Sequence, residues 1–274
     1  MLDFHIDEEK CIQCGECAAD CPNDIITMDN GFPQTLREKE DRCISCQHCF
    51  AVCPTGALSI FGLDPENSIE LDTGLPSYDQ LATLMKGRRS VRHYLDEELD
   101  KEVIHELIET VSNGPTGVNN RQLLFTVVED QQTMETLRHR TIEAIRLKEQ
   151  EQGLPEGLEF FSGIVAAADR GGDIIYRGAP HLLLVSSPAN GPSPEPDCLI
   201  GLSYFELLAA SRGLGTVWNG LAKWALTKIV PELLAELKVP EDHTIGYMMS
   251  FGKPAVKYFR TVQRGGARIN RVLL

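Results

Sequence analysis

"CIQCGECAADCP" (residues 11–22) and "CISCQHCFAVCP" (residues 43–54) share one internal spacing and superpose at a constant offset of 32 residues. Cys11 falls on Cys43, Cys14 on Cys46, Cys17 on Cys49, Cys21 on Cys53 and Pro22 on Pro54. Eight of the nine cysteines of this 274-residue chain therefore sit in its first fifth, as an internal repeat. In each run three thiols recur every third residue, a spacing that lets a tight loop wrap a compact inorganic core, and a fourth thiol stands four residues on. Confining the cysteines in this way argues for a small domain followed by a medium one.

Composition bounds what such a chain can do. Hydrophobic residues make up 42% of it, enough for a sizeable core, and its formal charge is −14. It has no basic stripe to grip a phosphate backbone, so nucleic acid is not expected as a partner. No apolar stretch approaches the roughly 18 residues that span a bilayer. The start "MLDFHIDEEK" has an acidic flank where a signal peptide needs a basic one. A cytosolic location without membrane association is expected, and in that reducing compartment paired thiols are metal ligands or redox catalysts more often than disulfides.

The two runs resemble the C-x₂-C-x₂-C-x₃-CP pattern of bacterial two-cluster ferredoxins, in which the fourth cysteine ligates the other cluster. The resemblance implies that Cys11, Cys14, Cys17 and Cys53 hold one 4Fe-4S cluster, and Cys43, Cys46, Cys49 and Cys21 the second. The competing reading is a pair of four-thiolate zinc sites, whose CxxC pairs are set apart by a spacer and seldom carry a third cysteine in phase. After each run comes a short β-prone stretch, "DIITMDNG" and "GALSIFG". Residues 1–62 are thus expected to form a ferredoxin-like domain whose folding depends on metal. His48 lies inside the second run, but the four thiols already fill its ligand places, and it reads as a surface residue.

Residues 63–76 read as a linker rich in Pro, Gly and Asp, and 77–274 as a second, α+β or α/β domain. Helices are expected in "YDQLATLMKG" and "LDKEVIHELIETVSNG", where Val103, Leu107, Ile108 and Val111 mark one face. Strands are expected in "LLFTVVED" and "HLLLVSSP", further helices from Leu199 to Ser211 and near 224–237, and a strand near 244–251. There is no GxGxxG after a strand and no GxxxxGK[ST]. Instead "GRRSVRHY" (residues 87–94) gathers three arginines and a serine, donors suited to a phosphate or to the carbonyl edge of a heterocycle.

That stretch is one of four that, in the same order, resemble the FMN-dependent nitroreductase family, and the whole chain resembles its ferredoxin-nitroreductase fusions. The resemblance implies an α+β flavin domain with a central sheet surrounded by helices. It assigns Arg88, Arg89 and Ser90 to the FMN phosphate and ribityl chain and Arg92 to the pyrimidine edge. "GPTGVNNRQ" (114–122) is similar to the family loop that reaches the partner subunit's flavin, with Pro115, Thr116 and Asn119 matching. Arg121 and Gln122 depart from that loop's usual Gln and Pro. "GLGTVWNG" (213–220) is similar to the segment lying against the hydride-accepting nitrogen, with Asn219 and Gly220 beside it. "GKPAVKYFRTVQR" resembles the closing basic stretch, with Arg260 or Arg264 as second phosphate clamp.

The implied activity is an oxidoreductase in which electrons pass through two 4Fe-4S clusters to FMN and on to a small acceptor such as a nitroaromatic or quinone. Its donor would be an external ferredoxin or NAD(P)H, and its working unit a homodimer. Two other readings stay open: an electron-transfer subunit relaying to a larger redox partner, and an NAD(P)H-oxidising flavoenzyme with the clusters as exit. No side chain is required as an obligatory acid, so none is assigned as catalytic. The 148–180 stretch is expected to shape the acceptor site. Cys198 reads as a buried inert thiol, Trp218 and Trp224 as core or flavin-flanking residues. His93, His105, His139, His181 and His243 show no metal-ligand spacing.

Overall fold

The computed structural model describes residues 2–29, 31–71 and 74–274. Asn30, in the first β-prone stretch, and Asp72 and Thr73, in the expected linker, lie outside the described residues. The chain divides into two compact units, Met1–Pro76 and Ser77–Leu274.

The first unit repeats in structure as it does in sequence. Helix α1 (Glu16–Ala19) recurs 32 residues later as α2 (His48–Ala51). Strand β1 (Phe4–Ile6) pairs antiparallel with β4 (Leu58–Ile60), and β2 (Ile26–Thr27) with β3 (Gln34–Thr35). Left-handed backbone recurs at the same offset, at Gln13 and Ser45, Gly15 and Gln47, Asp24 and Gly56. Its buried core is small: Ile25, Ile26, Leu58 and Ile60, together with Cys17 and Cys49.

The second unit is built on a four-stranded antiparallel sheet in the order β5 (Leu124–Val128), β6 (His181–Pro188), β8 (His243–Gly252), β7 (Gly215–Trp218). Strand β6 is central and buried almost throughout, which is why "HLLLVSSP" reads as a continuous apolar run with no alternation. Its side chains still alternate between faces. Leu182 and Leu184 join one core cluster with α5 (Gln131–Gln152) and α6 (Phe161–Ala168), while Leu183 and Val185 join another with α4 (Lys101–Val111) and α7 (Pro194–Ser211). The sheet is thus sandwiched between two helical layers, the α+β arrangement expected.

Local chemistry sets most helix starts. Ser77 and Gln80 form a reciprocal capping box at α3 (Tyr78–Gly87), and Asp100 and Asp130 cap α4 and α5. Helix α7 begins at Pro194, five residues before the expected start, with proline in its first turn, where no N–H is required. The helix expected near 224–237 is broken into α8 (Gly220–Trp224), a π-helical turn over Ala225–Ile229, and α9 (Glu232–Glu236). Pro231 is the reason: it forces Val230 out of helical backbone (φ −129°, ψ 59°). At the irregularity between Val185 and Ser186 in the β6–β8 pairing, a Cβ on Gly246 would lie 2.1 Å from that of Cys198, so only glycine admits α7 there.

Candidate thiol and anion sites

The thiols of the first unit separate into two sets. Cys11, Cys14, Cys17 and Cys53 line one cavity, closed by Ile6, Met28 and Leu58. Cys21, Cys43, Cys46 and Cys49 line the other, closed by Phe4, Ile25 and Ile60. Each cavity thus takes three cysteines from one run and the fourth from the other. None of the nine cysteines is in a disulfide. Among the described residues no three His, Cys, Asp or Glu side chains converge closely enough to hold a single metal ion. Thiols disposed around a volume instead of a point suit a polynuclear cluster better than mononuclear zinc.

Burial raises the Cys17 thiol and pushes Cys49 up to about 11. Cys53 goes the other way: burial acts to raise it, but the amides of Ala57, Thr55 and Leu58 together hold it below the ordinary value, the Ala57 N–H donating to its Sγ at 3.3 Å. His48 pairs with Asp20 (3.3 Å), both half-exposed.

In the second unit the arginine stretch leaves the end of α3 and runs beside β7. Ser90 bridges Thr216, and the Val91 N–H donates to the Thr216 carbonyl at 2.8 Å. Gly215 permits this approach, since a Cβ there would lie 2.7 Å from Val91. The Tyr94 hydroxyl closes the turn by donating to the Val91 carbonyl at 2.8 Å. Burial raises its pKa above the usual phenol range. Arg88 donates from Nη1 to Oε1 of Glu206 at 3.1 Å, and Arg89 is held by the carbonyls of Arg88 and Lys86. Arg92 reaches back to the Ser90 carbonyl (3.4 Å).

Arg88 and Arg89 line an open cleft of about 710 Å³ together with Arg212, Lys253 and Lys257. Every charged residue lining this cleft is a cation; Arg88, Arg212 and Lys253 are ion-paired with Glu206, Glu106 and Glu97, and Arg89 and Lys257 complete the set. Ser90 and Arg92 flank it. Arg260 and Arg264 belong to the exposed irregular tail that follows β8, and are not among its lining residues. From the same basic stretch Lys253 and Lys257 line the cleft. Sequence reasoning passed over these two lysines, although both stand inside "GKPAVKYFRTVQR", and it had no signal for Arg212 or Glu206, which α7 and its C-terminal turn bring in.

The remaining site candidates lie elsewhere. Pro115, Thr116 and Asn119 occupy the loop between α4 and β5, where Val118, Asn119 and Arg121 all adopt left-handed backbone (φ 48°, 55° and 52°). The Gly117 N–H donates to the buried Asp197 carboxylate at 3.0 Å, and Thr116 Oγ1 accepts from the Arg121 N–H at 3.0 Å. This ties the loop to the first turn of α7. Asn219 is buried as the N-cap of α8: its Oδ1 accepts from Ala222 N–H, and its Nδ2 donates to Ile175 O and Ser250 Oγ. Gly220, next in sequence, opens the helix, with the Tyr247 hydroxyl 3.0 Å from where a Cβ would be.

Trp218 packs edge-on against Tyr247, and Trp224 against Phe160 at 6.2 Å, the latter two rings half exposed. Cys198 is fully buried and its thiol is pushed up to about 11, as an inert core cysteine requires. Buried His181 accepts the Leu99 N–H on Nε2 at 2.9 Å. Among the described residues no helix is long and apolar enough to cross a membrane.

Residues 85–253 match the model of the nitroreductase family, and residues 4–60 that of the 4Fe-4S dicluster domain. A protein of Methanothermobacter thermautotrophicus, provisionally named NADH dehydrogenase/NAD(P)H nitroreductase, is 25% identical over 69% of this chain and 84% of its own. Iodotyrosine deiodinase of Danio rerio is 26% identical over 65% of this chain and 61% of its own. Among solved structures, a nitroreductase with bound FMN from Bacteroides fragilis superposes with a TM-score of 0.54 at 23% identity, covering 70% of this chain and 99% of that one, a likeness of fold. The chain belongs to the nitroreductase family of oxidoreductases, with a 4Fe-4S dicluster domain preceding its nitroreductase domain.

Proposed function

We propose that the protein binds two 4Fe-4S clusters and FMN, and passes electrons from the clusters through the flavin to a small organic acceptor such as a nitroaromatic or quinone. Cys11, Cys14, Cys17 and Cys53 hold one cluster, and Cys21, Cys43, Cys46 and Cys49 the other. Residues 1–62 form the cluster-bearing part and 77–274 the flavin domain, with 63–76 as the connection. The observation that carries the flavin reading is the cleft whose charged wall is entirely cationic, a donor set fitted to a phosphate monoester. FMN is favoured over FAD because no dinucleotide fingerprint accompanies it.

Bound clusters would supply one-electron steps, and bound flavin a two-electron or hydride transfer to the acceptor. The chain's own part is to bind and orient. Arg88 and Arg89, with Lys253 and Lys257 added from the segment that follows β8, clamp the phosphate. Ser90 would hold the ribityl chain, and Arg92 would offer its N–H donors and positive charge to the pyrimidine edge. Gly220 presents backbone without a side chain to the reacting face. Asn219 acts through it, by holding the start of α8.

The working unit is a homodimer. The Thr116 loop is anchored at Asp197 and Arg88 at Glu206, nine residues apart on α7 and so separated by about 13 Å of helix rise. The loop is similar to the family loop that serves the partner subunit's flavin, and that resemblance is what supports the dimer reading. Thr116→Arg should then weaken dimerisation and FMN retention together, read by sedimentation with flavin absorbance in the same run; a monomer retaining full FMN would refute it.

The reading as a whole is tested on the purified protein. Heat release should yield FMN and not FAD, and iron should approach eight atoms per chain. Reduction of a nitroarene or quinone should proceed with dithionite or reduced ferredoxin as donor. Turnover with NAD(P)H alone would make the nicotinamide the donor instead.

A further inference from the structure

We propose that Glu206 is a positioning residue for the FMN phosphate, its buried carboxylate holding the Arg88 guanidinium at the wall of the cationic cleft. The proposal rests on the reading of Arg88 as a phosphate ligand.

Glu206 is out of keeping with its surroundings. It lies on α7 among Leu202, Phe205 and Ala209, all fully buried, and its own side chain is only 9% exposed. A carboxylate in such a place costs stability unless it is paired, and a well-packed apolar residue of similar volume commonly does better than the pair. Core packing therefore does not account for it. Its partner is Arg88 Nη1 at 3.1 Å, and Arg88 caps the end of α3 with its side chain about one-third exposed at the cleft.

The geometry of that pair is what a phosphate clamp needs. Arginine has five N–H donors in a rigid planar fork, so one bond to Glu206 leaves the others for an anion. An unrestrained arginine would give up rotamer freedom on every binding event; one already fixed does not. Arg89 needs no such carboxylate, because two backbone carbonyls already hold it. The negative charge of Glu206 works against anion affinity, and Arg212 and Lys253 are themselves paired with Glu106 and Glu97, but Arg89 and Lys257 add positive charge to the wall, and the fixed Arg88 fork supplies the geometry.

FMN and riboflavin share their ring and ribityl chain and differ in the phosphate, so their affinity ratio isolates the effect. The full-length protein, depleted of flavin, is titrated with each ligand by fluorescence quenching. Arg88→Ala should lower the preference for FMN, setting the scale. Glu206→Ala should lower it about tenfold and Glu206→Gln, which keeps shape and an acceptor oxygen, about threefold, with riboflavin affinity held within about twofold. An equal fall for both flavins marks a merely structural role and overturns the proposal, as does an unchanged or raised preference in the Glu206 variants while Arg88→Ala lowers it. If Arg88→Ala leaves the preference unchanged, the phosphate reading itself fails and takes the proposal with it. Should Glu206→Ala not fold, Glu206→Gln decides alone.

Discussion

The two units of this chain reach a folded state by different means. The first buries few aliphatic side chains, and two of the residues in its core are cysteines that also line the thiol cavities. It has 15 Asp and Glu against 4 Lys and Arg in residues 1–76, so its compact state also works against its own charge. The second has two large apolar clusters, one on each face of a sheet, and 25 Asp and Glu against 22 Lys and Arg. A domain of the first kind has to draw folding energy from what its thiols bind, whereas the second draws it from burial. The same contrast separates the candidate sites. The cysteines proposed as ligands include two members of the small core, Cys17 and Cys49, while the cationic cleft is a surface feature beside a large apolar core.

The sharpest way to break this comparison is to remove one thiol. Cys21→Ala should cost the cluster lined mainly by the second run, because Cys21 stands in the cavity of Cys43, Cys46 and Cys49. Iron should fall by about half or more, with melting of the first unit and little change in the second. Iron analysis and paramagnetic resonance, read with calorimetry, check this; damage confined to the other cluster would sink the crossed assignment. A core substitution reverses the roles. Phe205, fully buried and edge-on to Phe251 at 5.1 Å, should cost the second unit about 3–5 kcal/mol as Phe205→Ala, with iron content unchanged.

The smallest effect expected is a pH dependence confined to the second unit. Burial lowers the folded-state pKa of His181 below 6.5, although the Val128 and Glu129 backbone and the Glu98 and Asp130 carboxylates act to raise it. The unfolded chain takes up a proton near 6.5 and the folded chain resists it. The contribution of His181 is therefore whole above 6.5, declines as pH falls below it, and levels off under the folded value. Thermal midpoints measured between about pH 7.5 and 5.5 should fall on acidification, and His181→Gln should flatten the slope. An equal slope in that variant would assign the dependence to other groups.

Much of this was legible in the residues. The 32-residue offset predicted the repeat that the backbone reproduces down to its left-handed positions, because thiol spacing within a tight loop leaves few ways to wrap. Capping residues and apolar periodicity placed α3, α4 and the central strand, since these are local consequences of backbone hydrogen bonding and side-chain alternation. The family resemblance singled out the arginine stretch, of which Arg88 and Arg89 line the cleft. Helix α7 was foreseen without its first turn, and the segment 224–237 without its break, because a proline just inside a helix start and one that ends a helix differ only in context.

What tertiary structure alone decided are the pairings across long separations in the chain. Gly246 lets α7 approach β8, and Glu206 meets Arg88 across 118 residues. Lys253 and Lys257 line the cleft, while Arg260 and Arg264, one of which the resemblance makes a second phosphate clamp, lie on the exposed tail. Composition and spacing determine which groups a chain has to offer and which local shapes it can take. Which of those groups share a cavity depends on how sheet and helices pack, and no local pattern encodes that.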